Sequence, residues 1–174
     1  SGLRALELGS GTGVTAIALA RLGARVTATD LLPELVDLIK DNAELAGLRP
    51  GRCTAKAFSW GEPLKGELLA PFDLVLGSEI TYNEAGFQPL FETLRALCET
   101  SSKEGRPPPL ILVAETLRNP QQQRFWATAG AHFSAREVAA VPQRDGWNVR
   151  DEHAPVRIFE MRPRDRPTSP LAAL

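Results

Sequence analysis

The sequence is poor in the residues that build cross-links and metal sites. Its 174 residues include two cysteines and two histidines. Cys53 and Cys98 stand at no metal-ligand spacing, so no metal is expected. Free thiols of a cytoplasmic protein are, with the nucleus as a second compartment. His132 and His153 each stand alone in polar surroundings and read as surface residues. No apolar stretch reaches the ~18 residues of a membrane span, and the first residues read as a strand rather than an apolar leader. A formal charge of −1 gives no general attraction to nucleic acid or to acidic membranes. Neither partner is expected. The first residues are Ser1-Gly2 rather than Met, which reads as a trimmed or processed start.

What is present fits one globular domain with a real core, at 43% hydrophobic and 24% charged residues. Arg4 to Gly9 reads as a short buried strand, followed by a helix over Thr12 to Leu22 with Val14, Ile17 and Ala18 on one face. Ala24 to Asp30 is a β-branched strand. Pro33 opens a helix with Leu35, Leu38, Ile39 and Ala46 in helical period, and Gly47 closes it. A third strand falls near Cys53 to Phe58, and Phe72 to Gly77 is a continuous apolar run, as in a central parallel strand. Phe87, Leu90, Phe91, Leu94 and Leu97 mark one helix face. Glu99 to Pro109 reads as a loop, Leu110 to Thr116 as a buried strand, and Gln121 to Ala129 as a helix. Arg136 to Ala140 and Val156 to Met161 are late strands with no clear helix between them, which suits antiparallel pairing. The domain is expected over residues 1–162 and a loose proline-rich tail over 163–174.

Alternation of strand and helix predicts an α/β fold, a mostly parallel sheet with helices on both faces. Such sheets bind ligands at the carboxyl ends of their strands. Three polar features fall there: Gly9 to Gly13, Asp30, and Ser78 to Asn83.

The first is "LELGSGTGV". Gly9, Gly11 and Gly13 join strand to helix and let a ligand approach the backbone, while the helix start adds unpaired N–H groups. Asp30 ends the next strand, about 20 residues on, where a carboxylate can accept from both ribose hydroxyls. The dinucleotide pattern G-x-G-x-x-G is not met, because Val14 stands where its third glycine belongs. The acid Glu7 before the loop suits a positive, phosphate-free cofactor. Both features favour S-adenosylmethionine over NAD. "FSWGEP" follows the third strand, where Trp60 could wall an adenine ring and Ser59 could bond its edge. "SEITYN", Ser78 to Asn83, puts a carboxylate and a phenol at a strand mouth.

These motifs, in this order, resemble the seven-β-strand (class I) S-adenosylmethionine-dependent protein methyltransferases. More narrowly, "W-G-x-P" and the acid-x-x-Tyr after the fourth strand resemble the methyltransferase-like branch that mostly modifies lysine. The resemblance implies a Rossmann-like seven-stranded fold and a protein substrate. Glu7, Gly9, Ser10, Gly11 and Gly13 would line the methionine side of the cofactor, with Ser78 nearby. Asp30 would hold the ribose, Ser59 and Trp60 would border the adenine, and Glu79 and Tyr82 would flank the methyl group as catalytic residues. The branch usually has Asp at the position of Glu79 and often at that of Ser59, and a segment that helps close the pocket usually precedes its first strand.

A lysine must be neutral to attack, against a free pKa of ~10.4. A nearby carboxylate raises that pKa, so the use of Glu79 would be to recruit and orient the ammonium, with deprotonation following through water, and Tyr82 would offer an aromatic wall. "SE-x-x-YN" is also similar to protein-histidine methyltransferases, where the carboxylate would hold one ring nitrogen and free the other. A strand-end cap, with Glu79 taking backbone N–H groups, explains the same residues without chemistry. A non-catalytic cofactor-binding scaffold, an NAD-dependent oxidoreductase and a small-molecule methyltransferase are the competing classes. Methylation of base amines is disfavoured, because no Asn/Asp-Pro-Pro-aromatic follows this strand and there is no basic stripe. Glu115, Arg118 and Asn119 are secondary candidates on the substrate side. Trp126 and Trp147 read as packing residues.

Overall fold

The computed structural model describes residues 2–142 and 155–164. The elements run in the order β1 (Arg4–Leu8), α1 (Val14–Arg21), β2 (Arg25–Asp30), α2 (Pro33–Leu45), β3 (Cys53–Ala57), β4 (Leu74–Ser78), α3 (Phe87–Lys103), β5 (Leu110–Glu115), α4 (Pro120–Ala129), β6 (Phe133–Val141) and β7 (Val156–Pro163). Short 3-10 turns occupy Gly66–Leu69 and Glu84–Gly86.

The strands form one seven-stranded sheet in the order β3-β2-β1-β4-β5-β7-β6. Strands β1 to β5 pair in parallel. β7 runs antiparallel between β5 and β6, as the absence of a helix between the last two strands predicts. The chain leaves β1 for β2 and β3 on one side, then returns to β4 on the other. The loops after β1 and β4 thus leave the same end of the sheet in opposite directions, which opens a crevice there.

Alternate residues of the strands face two different layers. Leu6, Leu8, Val75, Ile111 and Val113 join Leu90, Phe91, Leu94, Leu97 and Phe125 of α3 and α4. Phe91 stacks on Phe125 at 5.0 Å between ring centroids, and Phe87 meets the same ring edge-on at 5.2 Å. On the opposite face Ala5, Val26, Ala28 and Leu74 meet Ala16 and Ala20 of α1 and Ile39 of α2. Small residues on both sides of that contact let α1 lie close to the sheet.

Several boundaries and faces differ from the sequence reading. Gly13 is left-handed at φ 83 and serves as the N-cap, so α1 starts at Val14 rather than Thr12. That phase turns Val14 outward, 72% exposed, and buries Ala16 and Ala20 instead of Val14, Ile17 and Ala18. In α2 the buried residues are Val36, Ile39 and Ala43, with Leu38 exposed. α3 continues to Lys103 through the polar stretch read as loop. The hydroxyls of Thr100, Ser101 and Ser102 donate to the carbonyls of Ala96, Leu97 and Cys98 one turn back, which lets them sit in a helix without competing for N–H groups. β6 begins at Phe133, earlier than Arg136. β7 extends through Arg162 to Pro163, a residue that composition alone assigns to the tail. Trp147, His153 and residues 165–174 lie outside the described residues.

Candidate active site

The crevice holds a cavity of about 600 Å³. It is lined by Gly9, Gly11, Asp30, Phe58, Ser59 and Trp60 on one side and by Ser78, Glu79, Ile80, Tyr82 and Asn83 on the other, with Leu31, Leu32 and Leu35 at the start of α2. Six of the expected cofactor residues (Gly9, Gly11, Asp30, Ser59, Trp60 and Ser78) and both expected catalytic residues therefore share one cavity.

Gly9 turns the chain at the top of β1 with φ 64, and a Cβ there would stand 3.0 Å from Ile80 and 3.5 Å from Trp60. Only a glycine fits under that roof. A Cβ at Gly11 would meet nothing within 4 Å, so its backbone faces open space. Asp30 ties this loop to β2. Its Oδ2 accepts the Gly11 N–H at 2.9 Å, and its Oδ1 accepts the Leu32 N–H at 3.3 Å. Each oxygen keeps a lone pair for a further donor.

Glu7, Ser10 and Gly13 lie outside the lining. Glu7 is 2% exposed, and its Oε2 accepts the N–H of Ala16 at 3.1 Å, in the first turn of α1. Burial pushes its carboxyl above the ordinary range, against hydrogen bonds from Ser10, Thr15 and Ala16 that pull it down. Ser10 accepts the Thr29 N–H at 3.1 Å, and Thr29 donates to the Glu7 carbonyl at 2.8 Å. These three residues shape the loop from behind.

At the other wall, Glu79 is the non-glycine residue with positive φ, 53°, among the described residues. Such a backbone costs of order 1–3 kcal/mol and persists only where its surroundings fix it. The Glu79 N–H donates to the Ala114 carbonyl at 2.9 Å, continuing the ladder to β5. Its Oε1 accepts the Thr116 N–H at 2.8 Å, the Thr116 hydroxyl, and Arg118 at 3.2 Å. Its Oε2 accepts the Gln122 amide at 3.1 Å. The carboxylate bridges the ends of β4 and β5 and the start of α4, taking one backbone N–H, that of Thr116, and three side-chain donors. Tyr82, three residues on, stands at the rim and is 61% exposed. Asn83 caps the turn after it by accepting the Ala85 N–H at 3.1 Å.

Glu115 is fully buried and takes no part in the open surface. It accepts from Thr81 through one oxygen and from the Trp126 indole through the other. Burial raises its pKa, those two bonds oppose the rise, and Glu79 adds to it. Asn119 caps α4. Sequence reading missed Thr116 and Gln122. An Asn-x-x-Gln pattern, the signature of a capping box, marks Gln122 at Asn119-Pro120-Gln121-Gln122, though nothing in it points to Glu79.

A profile of the lysine methyltransferase family matches residues 1–131. The chain belongs to that family. A curated relative, the mouse protein N-lysine methyltransferase METTL21A, is 35% identical over 147 residues, covering 83% of this chain and 63% of its own length. The mouse EEF1A lysine methyltransferase 3 is 34% identical over 166 residues, covering 94% and 63%. The chain thus spans somewhat under two thirds of the length of these lysine methyltransferases. Among solved structures, a precorrin-6y C5,15-methyltransferase from Geobacter metallireducens superposes with a TM-score of 0.63 at 17% identity, over 94% of this chain and 81% of that one. A magnesium protoporphyrin IX methyltransferase from Synechocystis, with bound SAM, does so at 0.60 and 15%, over 92% and 69%. At such identity the likeness shows the fold, a Rossmann-like methyltransferase sheet.

Proposed function

We propose that this protein transfers a methyl group from S-adenosylmethionine to lysine side chains of another protein. The observation that carries the reading is the single cavity that places the Asp30–Gly11 pair opposite Glu79 and Tyr82. Membership of the lysine methyltransferase family supports both the donor and the acceptor.

The residues present fit the cofactor. Gly9 and Gly11 both line the cavity, and at Gly11 the space a side chain would take is open. Asp30 has lone pairs left for the ribose hydroxyls, and Trp60, packed over Gly9 and Gly86, offers a flat wall for the adenine. When bound, S-adenosylmethionine supplies a methyl carbon on a positive sulfonium, open to in-line displacement by an amine. Alignment is then the main task left to the protein.

Glu79 does that at the acceptor side. Among the described residues its Oε2 takes one donor, which leaves a lone pair for a lysine ammonium. The carboxylate favours the charged amine, so it recruits and orients the side chain. The proton then leaves to solvent through the exposed mouth beside Tyr82. The aromatic ring of Tyr82 at that mouth suits an alkylammonium stem.

Calorimetric titration with S-adenosylhomocysteine, with NADH as a control, tests the donor half. Saturable binding of S-adenosylhomocysteine alone, abolished in Asp30→Ala, is the expected result. Binding of NADH instead would overturn the reading.

A further inference from the structure

The Gln122 side chain is 1% exposed, and both ends of its amide are used. Its Oε1 accepts the N–H of Arg118 at 2.8 Å and of Asn119 at 3.2 Å. The backbone N–H of Gln122 donates to Asn119 Oδ1 at 2.9 Å, completing the capping box of α4. The cap makes no use of the side-chain NH2 group, and this donates to Glu79 Oε2 at 3.1 Å. A capping box is satisfied equally well by Glu or Gln at this position. Only Gln has a donor for a neighbouring carboxylate. Glu79 itself sits on a strained backbone at φ 53 and needs its partners to hold it.

We propose that Gln122 is a positioning residue for methyl transfer: its amide donor aims the Glu79 carboxylate, so the start of α4 sets the acceptor geometry. This rests on the acceptor role given to Glu79 above. Thr116 and Arg118 hold the other oxygen, Oε1. Gln122 is the side chain seen on Oε2, the oxygen left with capacity for a substrate ammonium. Without it the carboxylate can rotate about its remaining bonds, and the acceptor loses its fixed reference.

The test compares Gln122→Glu with wild type and with Gln122→Ala. Gln122→Glu keeps the capping box and sets a carboxylate against Glu79. Methyl transfer is measured on a pool of lysine-containing peptides with labelled S-adenosylmethionine. The thermal midpoint, S-adenosylhomocysteine affinity and the NMR signal and exchange rate of the Thr116 amide are measured alongside. The expected result for Gln122→Glu is transfer reduced at least tenfold, in kcat rather than in cofactor affinity, with the thermal midpoint kept. The Thr116 amide, which donates to Glu79 Oε1, shifts and exchanges faster. Gln122→Ala loses the cap as well and melts lower. Wild-type transfer in Gln122→Glu, or an unperturbed Thr116 amide, would overturn the proposal. If wild type labels no peptide, the lysine reading fails by itself, and the Thr116 amide still decides whether Gln122 holds Glu79.

Discussion

The carboxylate of Asp30 at the tip of β2 accepts the backbone N–H of Gly11 at 2.9 Å, 19 residues away in sequence. One acid therefore holds the glycine loop closed and faces the cavity. Asp30→Asn keeps the Gly11 bond, since an amide oxygen can still take that N–H, while the amide nitrogen can accept neither the exposed, longer Leu32 N–H bond nor a ribose hydroxyl. A hydrogen bond to a charged group contributes roughly 1.5–3 kcal/mol. The expected outcome is an S-adenosylhomocysteine affinity reduced about 10- to 100-fold by calorimetry, with little change in thermal midpoint.

Glu115 makes stability depend on pH. Its folded pKa is raised by burial above the ordinary 4.5, so between those values the folded state binds more protons than the unfolded one. Stability from this group is full below the unfolded pKa and falls as pH rises through the folded pKa. Glu7 acts with the same sign. In Glu115→Gln the amide oxygen can accept from Trp126, and the amide nitrogen can donate to Thr81 after its hydroxyl turns. Urea unfolding is expected to show a larger gain for Glu115→Gln at pH 7.5 than at pH 5. An equal difference at both would show that Glu115 is not the source.

Gly77 and Ile80 form a second close pair. A Cβ at Gly77 would overlap Ile80 Cδ1 and lie 2.9 Å from Cγ1, and Ile80 is a buried residue of the cavity wall. Gly77→Ala is expected to destabilise by ~1–3 kcal/mol through overpacking. Ile80→Val, which removes one methyl, should recover part of that loss in the double variant although it costs ~0.5–1.5 kcal/mol alone. Additive losses in the double-mutant cycle would refute the contact.

The backbone of Glu79 can be separated from its carboxylate. Both Glu79→Ala and Glu79→Gly remove the four hydrogen bonds to Thr116, Arg118 and Gln122. Only glycine relieves φ 53. Chemical denaturation should find Glu79→Gly more stable than Glu79→Ala by about 1 kcal/mol. The reverse order would mean that the position relaxes freely to negative φ.

Much of the arrangement was legible in the sequence, because period and strand-end chemistry act locally. The apolar run into β4 and the five-residue face of α3, Phe87 to Leu97, are read directly from spacing. The spacing of Asp30 from the glycine loop marks it in the sequence, and the structure sets it on the cavity wall. The phase of α1 was not legible, because it hangs on a left-handed Gly13 that shifts the helix start and turns Val14 to solvent. The hydroxyls of Thr100 to Ser102 read as loop chemistry, yet they fold back onto carbonyls of their own helix. Glu7 is marked in the sequence by its place before the glycine loop. Its carboxylate accepts the Ala16 N–H in the first turn of α1, a contact that spacing alone does not predict. The Gln122–Glu79 bond spans 43 residues and joins two elements that are not consecutive, and no local pattern encodes it.

The most direct measurement is the identity of the methylated residue. The protein is incubated with methyl-labelled S-adenosylmethionine and a methyl-depleted cell extract, and the labelled proteins are hydrolysed to amino acids. Label recovered as methyllysine, and lost with Glu79→Ala, is the predicted result. Label recovered as methylhistidine, or label that survives Glu79→Ala unchanged, would contradict it.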